Sequence, residues 1–232
     1  NLTATWTATV VGSGGIVLAL KPGPVATITT SAVKDLTCAG YRAGSELGCT
    51  AGEFTIGASF SAAPGTPPFC IAGQSFNFKV DLNLYGSNAN RYDIGFFSGQ
   101  QGNDPALTTA GNICSVATFP ETPPPWQDYD ASTQPADTCG DYQAAGDSII
   151  TVDEIKVMCE GDSSGTLKVP YVLTYWQNTG NVCTGPSDVM PGSTSKCNKG
   201  ISTVSGSVKV YSGAYVDVTK QTSPDGDSQS FT

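Results

Sequence analysis

The chain has 232 residues, of which 39% are hydrophobic and 13% charged, about half the charged share of an ordinary soluble protein. Its 11 Lys and Arg against 20 Asp and Glu leave a net charge of -9, and cations this few and scattered exclude a phosphate-binding, nucleic-acid role. The absence of His excludes Ser-His-Asp and Cys-His nucleophile systems, and a zinc site would have to use cysteines alone at wide spacing.

Thr, Ser and Gly fill the polar positions, and no long stretch carries a 3.6-residue apolar period. The expected fold is therefore all-β, a disulfide-stapled β-sandwich of jelly-roll or Ig-like type with long loops. Three regions are expected: an N-terminal strand and hinge over 1–15, the sandwich over 16–210, and a C-terminal strand with a linker-like tail over 211–232.

Residues 1–11 alternate, with Leu2, Ala4, Trp6, Ala8 and Val10 on one face and threonines on the other, and the glycines of 12–15 follow as a hinge. Residues 16–20 form the longest apolar run, far short of the ~20 residues of a membrane span. A Thr-rich strand over 25–33, a Gly- and Cys-rich segment over 36–52 and a strand over 54–60 come next. Phe76, Phe78, Val80, Leu82 and Leu84 then share a face, as do Tyr92, Ile94 and Phe96 in the segment R-Y-D-I-G-F-F. With turn chemistry over 86–90, these two strands are predicted to form a hairpin.

Residues 98–146 show little periodicity and several prolines, so they are expected to form a long functional loop, ordered by Cys114 and Cys139. The strand over 149–158 changes phase at Asp153 and Glu154, which predicts a bulge. Leu167, Val169, Tyr171, Leu173 and Tyr175 define another buried face; Pro170, lacking an N–H, predicts an edge strand or a bulge. Residues 208–218 supply the final strands.

The eight cysteines, Cys38, Cys49, Cys70, Cys114, Cys139, Cys159, Cys183 and Cys197, include no C-x-x-C pair and are expected to form disulfides. Eight cysteines permit 105 connectivities; local bridges Cys38 to Cys49 and Cys183 to Cys197 would each close a turn-rich loop. Because Asn1 is no initiator and the cysteines suit an oxidising compartment, the expected location is extracellular or at the cell surface, with a leader removed.

In order along the chain, L-G-C-T-A-G-E-F-T-I, C-I-A-G-Q-S-F-N-F, R-Y-D-I-G-F-F, T-C-G-D, V-P-Y-V-L-T-Y-W-Q-N and S-K-C-N resemble a Cys-containing β-sandwich repeat module of large secreted and surface proteins of bacteria. R-Y-D-I-G and T-C-G-D are its most specific pieces. The polar segment around S-P-D-G-D resembles a linker strand opening a further repeat. The resemblance implies stalk-like surface structure and not catalysis. Where related modules carry a D-x-D-G-D-G run, this chain has Glu160, Gly161, Asp162, Ser163, Ser164 and Gly165, so a calcium loop there is thinned.

The acids Asp93, Asp104, Asp128, Asp130, Asp137 and Asp141 suit calcium, which takes six to eight oxygens, although nothing in the sequence makes a cofactor obligatory. The competing reading of the same acids is a solvated surface. Trp126, Tyr129, Tyr142 and Trp176 could instead offer flat faces to sugars, or be ordinary core. The function expected overall is a structural subunit of an extracellular filament, with itself as partner. Residues 1–11 would leave their own domain and add a strand to a neighbour, with Leu2, Ala4, Trp6, Ala8 and Val10 entering pockets. The alternative is an adhesin-like module that binds glycans, calcium or other surface proteins.

Overall fold

The computed structural model describes residues 9–10, 16–17, 28–29, 32–57, 59–86, 90–122, 126–142, 148–162, 164–179, 182–205 and 208–212. In chain order the elements are β1 (Thr9–Val10), β2 (Ile16–Val17), β3 (Ile28–Thr29), β4 (Ala32–Thr37), a short helix α1 (Ala39–Arg42), β5 (Phe54–Ile56), β6 (Ser59–Ala62), β7 (Phe69–Ile71) and β8 (Ser75–Gly86). There follow β9 (Tyr92–Gly99), β10 (Ile113–Thr118), β11 (Trp126–Gln127), β12 (Asp141–Tyr142), β13 (Ser148–Met158), β14 (Lys168–Trp176), β15 (Cys197–Ser205) and β16 (Lys209–Tyr211). The chain is thus nearly all β, as its composition implies.

Ten strands form one sheet in the order β3-β13-β8-β6-β15-β14-β9-β10-β4, with β5 also on β8. The end strands β3 and β4 are only two residues apart in the chain, so the two ends of the sheet meet. Ser115 of β10 helps to close the gap by accepting the N–H of Lys156 in β13 at 2.9 Å. The result is barrel-like, where the sequence led us to expect two face-packed sheets: strand alternation reports which side chains are buried and not whether a sheet curls onto itself.

The inward face carries the alternating residues picked out from sequence. Phe78, Val80, Leu82, Leu84, Ile94, Phe96, Leu167, Val169, Leu173 and Tyr175 lie in one core with Phe60, Trp126 and Tyr142. A second core covers the outside of β9, β10 and β14, where Phe97, Val116 and Val172 pack against Cys38, Leu47, Cys139, Cys183, Val189 and Cys197. These strands are buried on both faces, which explains why Arg91 to Phe97 reads as one clean and one mixed face.

Three local expectations are corrected. β8 and β9 do not form a hairpin: β8 pairs with β13, β6 and β5, and β9 with β10 and β14. β14 is interior and not an edge strand, and Pro170 is accommodated because the ladder to β9 begins one residue later, at Tyr171. The long 98–146 segment contains β10, whose residues are buried with little alternation and so gave no period-2 signal. The phase change in β13 is a bulge, since Val152 and Ile155 oppose Val80 and Phe78, with Glu154 at φ +55°.

All eight cysteines are paired, but none locally: the bridges are Cys38–Cys114, Cys49–Cys197, Cys70–Cys159 and Cys139–Cys183. Pairing follows adjacency of backbone segments. Thr50 bridges Asn198 beside the second bond, and Cys159 donates to the Gln74 carbonyl beside the third. No helix among the described residues is long and apolar enough to cross a membrane.

Candidate metal centre

The segments R-Y-D-I-G and T-C-G-D meet at the start of β9. Arg91 and Tyr142 exchange backbone hydrogen bonds at 3.0 and 2.8 Å, which fastens the β11–β12 ribbon to that strand. The ribbon pairs Trp126 with Tyr142 and Gln127 with Asp141, so the loop between them returns to its origin. Its anchor is aromatic. Trp126 and Tyr142 are fully buried with ring centroids 5.3 Å apart, and Phe119 lies 4.9 Å from Trp126. Gly140 is needed beside them, because a Cβ there would lie 2.1 Å from the Pro120 carbonyl oxygen.

Asp93 stands at a bulge in β9. Gly95 and Tyr92 oppose Thr174 and Trp176, so β9 carries one residue more than its partner, and Asp93 takes φ +50°. A bulge re-aims a side chain, and Asp tolerates the left-handed region better than most residues. The Asp93 N–H donates to Asp141 Oδ1 at 2.9 Å, and the Tyr129 N–H donates to Asp141 Oδ2 at 2.9 Å. Asp137 accepts from the N–H groups of Cys139 at 2.9 Å and Cys183 at 3.1 Å. Asp130 closes a turn, its carbonyl accepting from the N–H groups of Thr133 and Gln134.

Carboxylate oxygens of Asp128, Asp130 and Asp141 lie within 4.8 Å of one another. Oxygens bound to one calcium ion at about 2.4 Å can be no more than about 4.8 Å apart, so the three fit a shared ion. Asp93 adjoins them, its N–H bonded to Asp141 Oδ1, and Asp137 faces Asp93. Four of the five are almost fully buried: Asp93, Asp130, Asp137 and Asp141 are 1%, 1%, 5% and 0% exposed.

Neither oxygen of Asp93 receives a hydrogen bond from an N–H or O–H group, nor does Oδ1 of Asp128. Asp93 faces the carboxylate of Asp137, and two carboxylates bond each other only when one carries a proton. Burial, reinforced by Asp137, Asp141 and Asp130, holds the Asp93 carboxyl far above the usual carboxylate range. Burial pushes Asp141 up to about 7, against the two N–H groups that favour its charged form, with Asp130 and Asp137 adding to the rise. The nearby guanidinium does not neutralise them: Arg91 turns to Glu53 at 3.7 Å and lies over the Tyr175 ring.

Five of the six acids expected from sequence are thus brought together. Asp104 is not among them; it accepts the Ala106 N–H at 2.8 Å and pairs with Lys199 at 3.2 Å. Asp162 in the thinned loop is occupied by the Ser164 and Thr166 N–H groups in a turn. Trp126 and Tyr142 are core and cannot present faces to sugars; Tyr129 and Trp176 are half-buried. Of the strand expected to be donated, Leu2, Ala4, Trp6 and Ala8 lie outside the described residues, and Val10 is described only through its pairing with Ile16. What sequence reading missed is the role of the Cys139 and Cys183 N–H groups, which orient Asp137; only the disulfide pairing could have signalled it.

No family model matches the chain, and no curated protein matches it. Among solved structures it is similar to one described as "AvmM Catalyzes Macrocyclization in Alchivemycin A Biosynthesis", at 11% identity and a TM-score of 0.32, over 69% of this chain and 92% of that one.

Proposed function

We propose that the chain is an extracellular, disulfide-braced structural module that holds calcium among Asp93, Asp128, Asp130, Asp137 and Asp141. The observation that carries this is Asp93, 1% exposed, bent into the pocket by a bulge, where it meets only other acids and no N–H group or cation. Burying an unpaired carboxylate costs several kcal/mol, and buried charges are ordinarily paired or bound to metal. An all-oxygen donor set disfavours zinc and copper, and so many carboxylates suit calcium better than magnesium, which keeps its waters and takes one or two. The ion would tie the 128–141 loop to β9, a structural role. Calorimetric titration of chelator-treated protein tests the reading: saturable calcium binding with a raised melting temperature is expected. No binding heat and a melting temperature indifferent to both calcium and chelator would reject it.

A second reading concerns assembly. Among the described residues, Thr9–Val10 pairs with β2 and not with the ten-stranded sheet, which supports a reading in which residues 1–11 serve a neighbouring subunit. We propose that such modules build a surface filament by donating residues 1–11 to the next subunit, a head-to-tail contact that propagates. Deleting 1–11 should leave a folded monomer that does not polymerise; normal filaments from that variant would defeat the mechanism.

A further inference from the structure

We infer that calcium in the acidic pocket guards one disulfide of the four, Cys139–Cys183, against reduction, and that this disulfide in turn sets the pocket's affinity for calcium. The inference rests on the calcium reading above and adds a regulation to it.

The geometry is specific to that bridge. Both oxygens of Asp137 are held by the N–H groups of the two half-cystines themselves, Cys139 at 2.9 Å and Cys183 at 3.1 Å. The same segments are laced by Thr138 and Cys139 N–H groups donating to the Cys183 carbonyl at 2.8 and 3.2 Å. The cystine is sealed, Cys139 being 1% and Cys183 0% exposed. A thiolate can reach its sulfurs only after the 138–139 and 183 segments part, and that opening breaks the bonds that aim Asp137 into the pocket. Access to the disulfide and loss of the metal site are therefore one event.

An ion that binds only the closed form suppresses the open population by the factor 1 + [Ca]/Kd, about 100-fold at 100 times Kd. Linkage makes the effect reciprocal: freeing residue 183 from residue 139 loosens Asp137 and weakens calcium binding. The other bridges lack this connection. The N–H groups of Cys38, Cys49 and Cys159 donate instead to the carbonyls of Asn112, Thr194 and Gln74, at 3.4, 3.2 and 2.8 Å.

The reaction to be followed is exchange with dithiothreitol. One reagent thiolate attacks a cystine sulfur, the S–S bond breaks and the other cysteine leaves as thiolate; the reagent's second thiolate then displaces the first cysteine. Two electrons pass to the protein, the reagent closes to its cyclic disulfide, and the two protons lost by its thiols are taken up through water by the cysteines.

The test uses the whole chain in its native, fully oxidised form. Calcium Kd is measured first by calorimetry. Reduction by dithiothreitol is then timed in chelator, at Kd and at 100 times Kd, with alkylation and peptide mapping of all four bridges. Cys139–Cys183 should slow about 2-fold at Kd and about 100-fold at 100 times Kd, while the others change less than about 3-fold. Asp137→Asn should abolish the selective protection without touching a cysteine. The Cys139→Ser, Cys183→Ser double variant should bind calcium at least 10-fold more weakly, and if it fails to fold the Asp137→Asn comparison decides alone. Equal protection of all four bridges, or none at saturating calcium, overturns the inference while leaving calcium binding intact. Absence of binding heat in the first step overturns the underlying reading, and with it this one.

Discussion

Asp93→Asn should change stability in opposite directions with and without calcium. Asn tolerates positive φ, so the bulge at φ +50° survives the substitution, and the side chain keeps its size. In chelator the substitution removes one of five crowded acids, which burial forces to take up a proton at neutral pH at a cost on the order of 3 kcal/mol. The ion-free variant should therefore gain up to about that much, or about 6–12 °C at about 2–4 °C per kcal/mol. In calcium the balance reverses. At 100 times Kd the ion contributes about 2.7 kcal/mol to the wild type; a variant binding about 100-fold more weakly retains about 0.4 kcal/mol at the same concentration. The calcium-induced rise in melting temperature should thus shrink from about 5–11 °C to about 1–2 °C. Differential scanning calorimetry of both proteins, in chelator and in calcium, measures all four values. A variant equally destabilised in both conditions, or one with an undiminished calcium response, would refute the reasoning.

The ion-free chain should also lose stability as pH rises from about 5 to 9. Asp93 and Asp141 titrate higher folded than unfolded, so the folded state binds more protons, and their contribution is present at low pH and lost as pH climbs through the folded values. Saturating calcium should flatten that slope, as thermal melts across the range would read. Gly86→Ala would place a Cβ 2.0 Å from the Tyr142 ring, next to Asp141, so it should cost about 1–3 kcal/mol and weaken calcium binding; an unchanged Kd with an unchanged urea midpoint would count against that packing. Glu154→Gly relieves a left-handed residue at the β13 bulge and should stabilise by about 1 kcal/mol in urea unfolding, a loss of stability being the contrary result.

Much of the fold was legible because strand alternation is a local consequence of burial. Phe78 to Leu84 and Leu167 to Tyr175 declare their inner faces by period alone, and the β13 bulge shows as a broken period. The acids could be named as candidates because Asp offers the hard oxygen ligands a cation needs, whatever the fold. Composition likewise settled that the chain is β-rich and that its cysteines pair, since both depend on residue type. What tertiary structure alone decided is adjacency. Closure of the sheet, the separation of β8 from β9, and the four long-range bridges depend on which distant segments lie side by side, and a one-dimensional pattern carries no such information. The same holds for the pocket: Asp104 and Asp137 are equally acidic in sequence, yet Asp104 pairs with Lys199 while Asp137 is turned inward by the N–H groups of two cysteines 44 residues apart. Charge and residue type determine what a group can bind; the backbone that surrounds it determines whether it is left to bind a cation at all.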